Sequence, residues 1–244
     1  MSRVRTAAGM GVREYARTPV LLALLVGLPA YVVVFFGQVV PEGSVALSVP
    51  GEGFVRVSLG AATAVTMAPM AAALVGGVAG LFLVQSARDV DGRLVLAGMR
   101  VREVLAARFA VLGLAALLAG GVSVAALAVT HVPEAPAWFL AATVAAGLSY
   151  GALGVLVGLV LDRLAGVYVM LFGPLLDLFL AQSPFAADPV AVAPYLPGHY
   201  PVEVALDAAF TATVSLETAG RGLLYLGAVA MLTWAVFALR VRTD

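Results

Sequence analysis

The 244 residues include no cysteine, no lysine and only two histidines, and charged residues make up just 11% of the chain. Without cysteine there can be no disulfide, no thiolate nucleophile and no cysteine metal cluster, and the redox compartment is left undetermined. Without lysine there is no P-loop lysine to hold nucleotide phosphates and no amine for Schiff-base chemistry. His131 and His199 lie far apart, each near a proline, and neither belongs to an HExxH pattern. A histidine metal site therefore has no support in the spacing, and both read as loop residues at an interface. All fourteen basic residues are arginine, and the bias toward Arg, Ala, Val and Gly matches a GC-rich genome.

Apolar side chains make up 62% of the sequence, against roughly 45 to 50% in an ordinary soluble domain. One soluble core cannot hide that excess, so the solvent for most of the chain is lipid. The fold class expected is an all-α integral membrane protein, a single transmembrane domain over residues 1–244, with no segment long enough for a second soluble domain. Six apolar runs are read as spans, at about 19–40, 58–84, 104–130, 137–161, 164–181 and 221–239. The first run is longer than the roughly 7 to 15 residues of a signal h-region and no small-x-small site follows it, so it is expected to stay as an anchor. Pro29 and Pro69 are expected to kink the first and second spans.

Before the first span, residues 7–17 carry Arg13, Glu14 and Arg17 among Met10, Val12 and Tyr15. Arg13 and Arg17 are four apart and share one helical face, which reads either as an amphipathic helix on the membrane surface or as a basic tail that sets orientation. Residues 41–57 read as a loop rich in Gly, Pro and Ser. Gly76 and Gly80 in the second span form a GxxxG, and Gly147, Gly151, Gly154 and Gly158 in the fourth repeat on a near-helical period, which marks close helix packing. Asp162 and Arg163 make a tight turn. Residues 183–219 are too polar to span, and Val202 to Phe210 has helical spacing, so one or two short helices are expected at the outer surface.

Arginine counts in the flanks fix the orientation. With the N-terminus cytoplasmic, twelve of the fourteen arginines face that side and only Arg56 and Arg221 face the other, which agrees with six spans and both termini inside.

Asp177 is the clearest ionisable residue within a span, where a carboxylate costs roughly 2.5 to 3.5 kcal/mol at the bilayer centre and so must face protein or water. Fourteen residues beyond Arg163 it stands about 20 Å along the helix, level with Arg221. Three readings are open: an ion pair with Arg221, the lining of a path or outer gate, or a reach to interfacial water. No GxSxG, paired glutamates with arginine, or repeated aspartates of the phosphatidyltransferase kind occur. DVDG, Asp89 to Gly92, is half of a metal-binding loop, and alone it reads as a helix N-terminus capped by Asp89 or Asp91.

Three stretches carry a family resemblance: VREYARTP before the first span, RDVDGRLVLAGMRVREVLAARF between spans two and three, and YLPGHYPVEVALDAAF before the last span. With the topology, they make the chain resemble the membrane permease of ABC-2 type exporters over nearly its whole length. In the second stretch Arg88, Gly92, Leu94, Leu96, Arg100 or Arg102, and Glu103 occupy the places typical of that family, while Val95 stands where a glutamate is common. The resemblance implies a multi-pass plasma-membrane protein of prokaryotic type, with residues 7–17 as an elbow helix. It implies a coupling helix around Asp91 to Met99 seated in a separate cytoplasmic ABC ATPase, with Arg88, Asp89, Asp91, Gly92, Arg93, Leu94, Leu96 and Glu103 at the contact. The partners implied are that ATPase, a second copy or related permease completing a dimer, and membrane lipid, but no nucleic acid. ATP and Mg would be bound by the ATPase, and this chain would bind no cofactor or metal and have no catalytic residue. It would serve as the permease through which a drug-, lipid- or polysaccharide-like substrate is exported. The alternative is a membrane-embedded enzyme or a non-transporting scaffold subunit. An ion-coupled secondary transporter is less well matched, since no internal repeat is evident.

Overall fold

The computed structural model describes residues 23–49, 53–85, 101–185 and 190–243, together with the single residue Gly9. Among them, five helices are long and apolar enough to cross a membrane, and a shorter apolar helix covers Ala23–Val39. The chain is a multi-pass membrane protein. In order, a π-helical turn at Ala23–Gly27 leads into α1 (Leu28–Val39), then strands β1 (Ser44–Val49) and β2 (Gly53–Ser58), α2 (Leu59–Gln85), α3 (Val101–Leu127), α4 (Pro136–Val160) and α5 (Arg163–Pro174). The last of these continues as a π-helical stretch over Leu175–Ala181, followed by a 3₁₀ turn at Ala193–Tyr195, α6 (His199–Phe210) and α7 (Leu216–Thr243).

The five long helices lie where apolar runs predict spans, with small shifts at the ends, and the described part of the first run forms the shorter helix Ala23–Val39. Span three is already helical at Val101, the first described residue there, and ends three residues early, at Leu127, because Ala128, Thr130 and His131 turn back onto the carbonyls of Val124 and Leu127. The last helix begins at Leu216, a turn before Arg221, so that Glu217 and Arg221 share its first turns. The expected kinks take different forms. Pro29 stands seven residues into a helix that is continuous from Ala23, directly after its π-helical turn, and Pro69 lies inside an α2 that runs on as one helix to Gln85.

The loop expected at 41–57 contains an antiparallel hairpin. Ser44 pairs with Ser58 and the register runs to Val49 opposite Gly53. Gly53 takes a φ of +80°, a conformation that glycine adopts without a Cβ clash. Leu47 and Val49 are buried, and β1 packs on α2 and α6. Alternating valines at 45, 55 and 57 carry the strand pattern, but turn-forming residues on both sides give it the look of a loop.

Helix α2 is the centre of the bundle and is buried on nearly every side; its most extensive partner is α4. With no hydrophobic drive between helices in lipid, close approach comes from small side chains. A Cβ added at Gly76, Gly80 or Gly154 would land on the backbone carbonyl oxygen of Gly147, Gly151 or Gly77 respectively, far inside van der Waals contact. The two helices therefore meet backbone to backbone. Four buried hydroxyls are satisfied within their own helices: Thr63, Thr66, Ser123 and Thr143 each donate to the carbonyl four residues earlier, at 2.8 to 3.0 Å.

Candidate functional site

A hydrogen-bonded network surrounds the buried carboxyl of Asp177 where α4, the π-helical end of α5 and the start of α6 meet; a second buried carboxyl, Asp207, lies at the opposite end of α6. Pro174 lacks an N–H, and the hydrogen-bonding ladder beyond it changes from four to five residues, so the N–H of Gln182 donates to the carbonyl of Asp177 at 2.9 Å. That change turns the Asp177 carboxyl into the protein, where it is only 4% exposed. Three neutral groups donate to it. The Tyr150 hydroxyl approaches Oδ2 at 2.5 Å, the Gly198 N–H approaches the same oxygen at 2.6 Å, and Gln182 Nε2 reaches Oδ1 at 3.1 Å.

The network continues outward. Gln182 Nε2 also donates to the Ala193 carbonyl at 2.8 Å, which leaves its Oε1 to accept from Nδ1 of His199 at 3.1 Å. The other ring nitrogen of His199 faces Glu203 Oε1 at 3.5 Å, one turn along α6. Tyr225 of α7 donates to the Tyr195 carbonyl at 3.0 Å and packs against the ring of Tyr200. One buried carboxylate thus ties together α4, α5 and the N-terminus of α6, and a carboxylate that accepts several donors in a dry site is held firmly.

The opposite end of α6 is held by the loop before α4. His131 donates from Nε2 to the Ala209 carbonyl at 2.9 Å, its ring packs against Phe210, and the N–H groups of Glu134 and Ala135 donate to the carbonyls of Ala209 and Ala208. Helix α6 is buried along most of its length: Pro201, Val202 and every residue from Val204 to Ala209 are shielded. The two histidines read as loop residues both serve as fasteners of this helix.

At the other end of the bundle, the end of α2 is tied to the turn between α4 and α5. Gln85 Nε2 donates to the Leu161 carbonyl at 3.2 Å, and the Arg163 guanidinium lies 4.6 Å from the centre of the Phe82 ring, a cation–π contact. Asp162 caps α5 by accepting from the Ala165 N–H at 2.9 Å.

Of the residues singled out in the sequence, Arg13, Glu14 and Arg17, and Arg88, Asp89, Asp91, Gly92, Arg93, Leu94 and Leu96, lie outside the described residues. Glu103 lies in the first turn of α3. The ion pair between Asp177 and Arg221 does not form. Arg221 is exposed and pairs at 2.5 Å with Glu217, its neighbour one turn back, while Asp177 is satisfied by uncharged donors. Nor does Asp177 reach interfacial water. Sequence reasoning missed Tyr150, Gln182 and Gly198; the only signal was the tyrosine in the otherwise small-residue stripe of the fourth span. Among the described residues no group of three or more His, Asp or Glu side chains is placed to hold a metal ion. No protein-family model matches the chain, and no curated protein matches it.

Proposed function

We propose that the chain is the membrane permease subunit of an ATP-driven ABC-2 type exporter, with six spans, both termini cytoplasmic and an N-terminal elbow helix over residues 7–17. It works in a prokaryotic plasma membrane as a homodimer or with a related permease. A separate cytoplasmic ABC ATPase binds ATP and Mg, and residues 88–103 form the contact with it. Asp177 belongs to the path or its outer gate, and Arg221 to the surface beside it.

The observation that carries this reading is the mechanical continuity of the helix that precedes the arginine-rich segment. Helix α2 ends at Gln85, directly before that segment, and is joined to α4 by backbone contact at Gly76, Gly80 and Gly154. Its last turn also grips the α4–α5 turn through Gln85 and the Arg163–Phe82 contact. A push applied to residues 88–103 moves α2, α4 and the base of α5 as one body, since packed cores shift between discrete arrangements rather than deform. Asp177 then passes the movement to α6 at the far end, through Tyr150 on α4 and Gly198 at the head of α6. A short helix buried within the outer end of the bundle and fastened at both ends by hydrogen bonds is suited to open and close a path. The test is gentle purification of the tagged chain from its own host, with and without Asp91→Ala, Leu94→Ala and Leu96→Ala. The expected result is an ABC ATPase that co-purifies with the parent chain and is lost from the variant. A chain that is isolated alone yet remains active in its membrane would refute the exporter reading in favour of an enzyme or scaffold.

A further inference from the structure

The side-chain amide of Gln182 can face only one way. Its Nε2 lies 2.8 Å from the Ala193 carbonyl and 3.1 Å from Asp177 Oδ1, and a carbonyl oxygen only accepts, so the nitrogen is the donor there and Oε1 points toward His199. Nδ1 of His199 stands 3.1 Å from that amide oxygen, which also only accepts, and must therefore carry a hydrogen. In a neutral imidazole the other nitrogen, Nε2, is then a bare lone pair. It faces Glu203 Oε1 at 3.5 Å, one turn further along α6. Two lone pairs do not bond, and a proton between them makes the contact favourable. The elements packed against α6 bring few other ionisable groups to this turn. Helices α2 and α4 and strand β1 contain only Tyr150 between them, the π-helical stretch supplies the buried Asp177, and the 3₁₀ turn supplies Tyr195. On α7, Glu217 and Arg221 pair with each other and Tyr225 packs on Tyr200, whose ring lies 4.9 Å from that of His199.

We propose that His199 and Glu203 form a proton-binding site that fastens the first turn of α6. Binding adds one proton and takes the pair from one net negative charge to none. The proton rests on the imidazole, the more basic of the two groups, which then donates from Nδ1 to Gln182 and from Nε2 to Glu203. With the proton gone, Nε2 and the carboxylate repel, and the ring keeps only its bond to Gln182. Fastening is therefore complete on the acid side and is lost as the pH rises and the ring gives up its proton. The two side chains are 17% and 33% exposed, so protons from water reach them, whereas Asp177 behind Gln182 is sealed. The inference uses only bonds within this chain and is independent of the exporter reading.

The test is nitrogen-15 NMR of the full chain, labelled at histidine and held in lipid nanodiscs, between about pH 5 and 8, the interval in which imidazoles titrate. The sequence holds only two histidines, and the spectrum of His199→Gln identifies the signals of His131. The expected result is His199 with both ring nitrogens protonated at the acid end and as the Nδ1–H tautomer at the alkaline end. His131, whose Nε2 donates to the Ala209 carbonyl, should show the opposite tautomer when neutral. Neutral His199 found as the Nε2–H tautomer overturns the proposal in the parent chain alone, since that ring could donate to Glu203 with no added proton. Glu203→Gln should lower the affinity of His199 for its proton about threefold, the effect of a partly exposed pair, and an unchanged affinity also overturns the proposal. Hydrogen exchange, corrected for the intrinsic effect of pH, reads the fastening. The amides of Val202 and Glu203 should lose protection about threefold as the proton leaves the parent chain. The amides of residues 202 and 203 in Glu203→Gln should show no such loss, because the new amide can donate to the bare Nε2. Equal pH dependence of protection in the two chains overturns the proposal, since the proton would then not be what fastens the turn.

Discussion

Replacing Gly80 by alanine adds one methyl group, and the structure gives that methyl nowhere to go. Its position coincides with the Gly151 carbonyl, a backbone group that cannot rotate aside, so α2 and α4 must separate along a contact that continues through Gly76 and Gly154. Overpacking of this kind costs about 1 to 3 kcal/mol, and the upper end applies here because the obstacle is backbone. The same substitution at Gly113 of α3 or Gly227 of α7 meets nothing within 4 Å and relieves the glycine penalty of about 0.5 to 1 kcal/mol in a helix interior. The difference between the two classes is therefore about 2 to 4 kcal/mol. Unfolding in mixed micelles with increasing SDS, followed by the fluorescence of Trp138 and Trp234, measures it directly. If Gly80→Ala unfolds at the same detergent fraction as Gly113→Ala, the backbone contact between α2 and α4 is not what holds the bundle, and the rigid-body transmission argued from it fails.

The Asp177 network makes a graded prediction in the same assay. Asp177→Ala strands the Tyr150 hydroxyl, the Gly198 N–H and the Gln182 amide, at about 1 to 3 kcal/mol for each buried group left unpaired. Asp177→Asn keeps one acceptor oxygen and should lose clearly less; equal losses would mean that the carboxyl is held by packing alone. His131→Ala removes one bond to the end of α6 and should cost about 1 kcal/mol, with faster amide exchange at Glu134 and Ala135, whose N–H groups it helps to align. Unchanged exchange there would show that the loop is held by the backbone bonds themselves.

Much of this architecture is legible from hydropathy, because a membrane imposes one length and one secondary structure on whatever crosses it. The glycine stripe of the fourth span was legible too, and the weaker Gly76–Gly80 pair proved to be its partner. The hairpin was hidden, since its short strands are flanked by residues that also make loops. The surroundings of Asp177 were hidden for a different reason. Charge bookkeeping looks for an arginine opposite a buried aspartate, but Arg221 has a glutamate one turn away on its own helix, and neutral donors from three elements can satisfy a carboxylate without any cation. Those donors are 27, 21 and 5 residues from Asp177 in sequence, and only packing brings the first two to it. The segments around Arg13 and Asp91, on which the family resemblance leans most, lie outside the described residues.

The π-helical stretch at Leu175–Ala181 amounts to a helix that holds a residue in surplus. In an α-helix, positions five apart point about 140° away from one another. Asp177 and Gln182 are five apart, yet their side chains meet at 3.1 Å. The extra residue is what lets one stretch of chain supply both the carboxylate and the amide that carries its network on to His199. Shortening the stretch by a single residue would restore ordinary winding and swing one member of the pair out toward the lipid, so the length of this segment is as much a part of the site as the identity of its side chains.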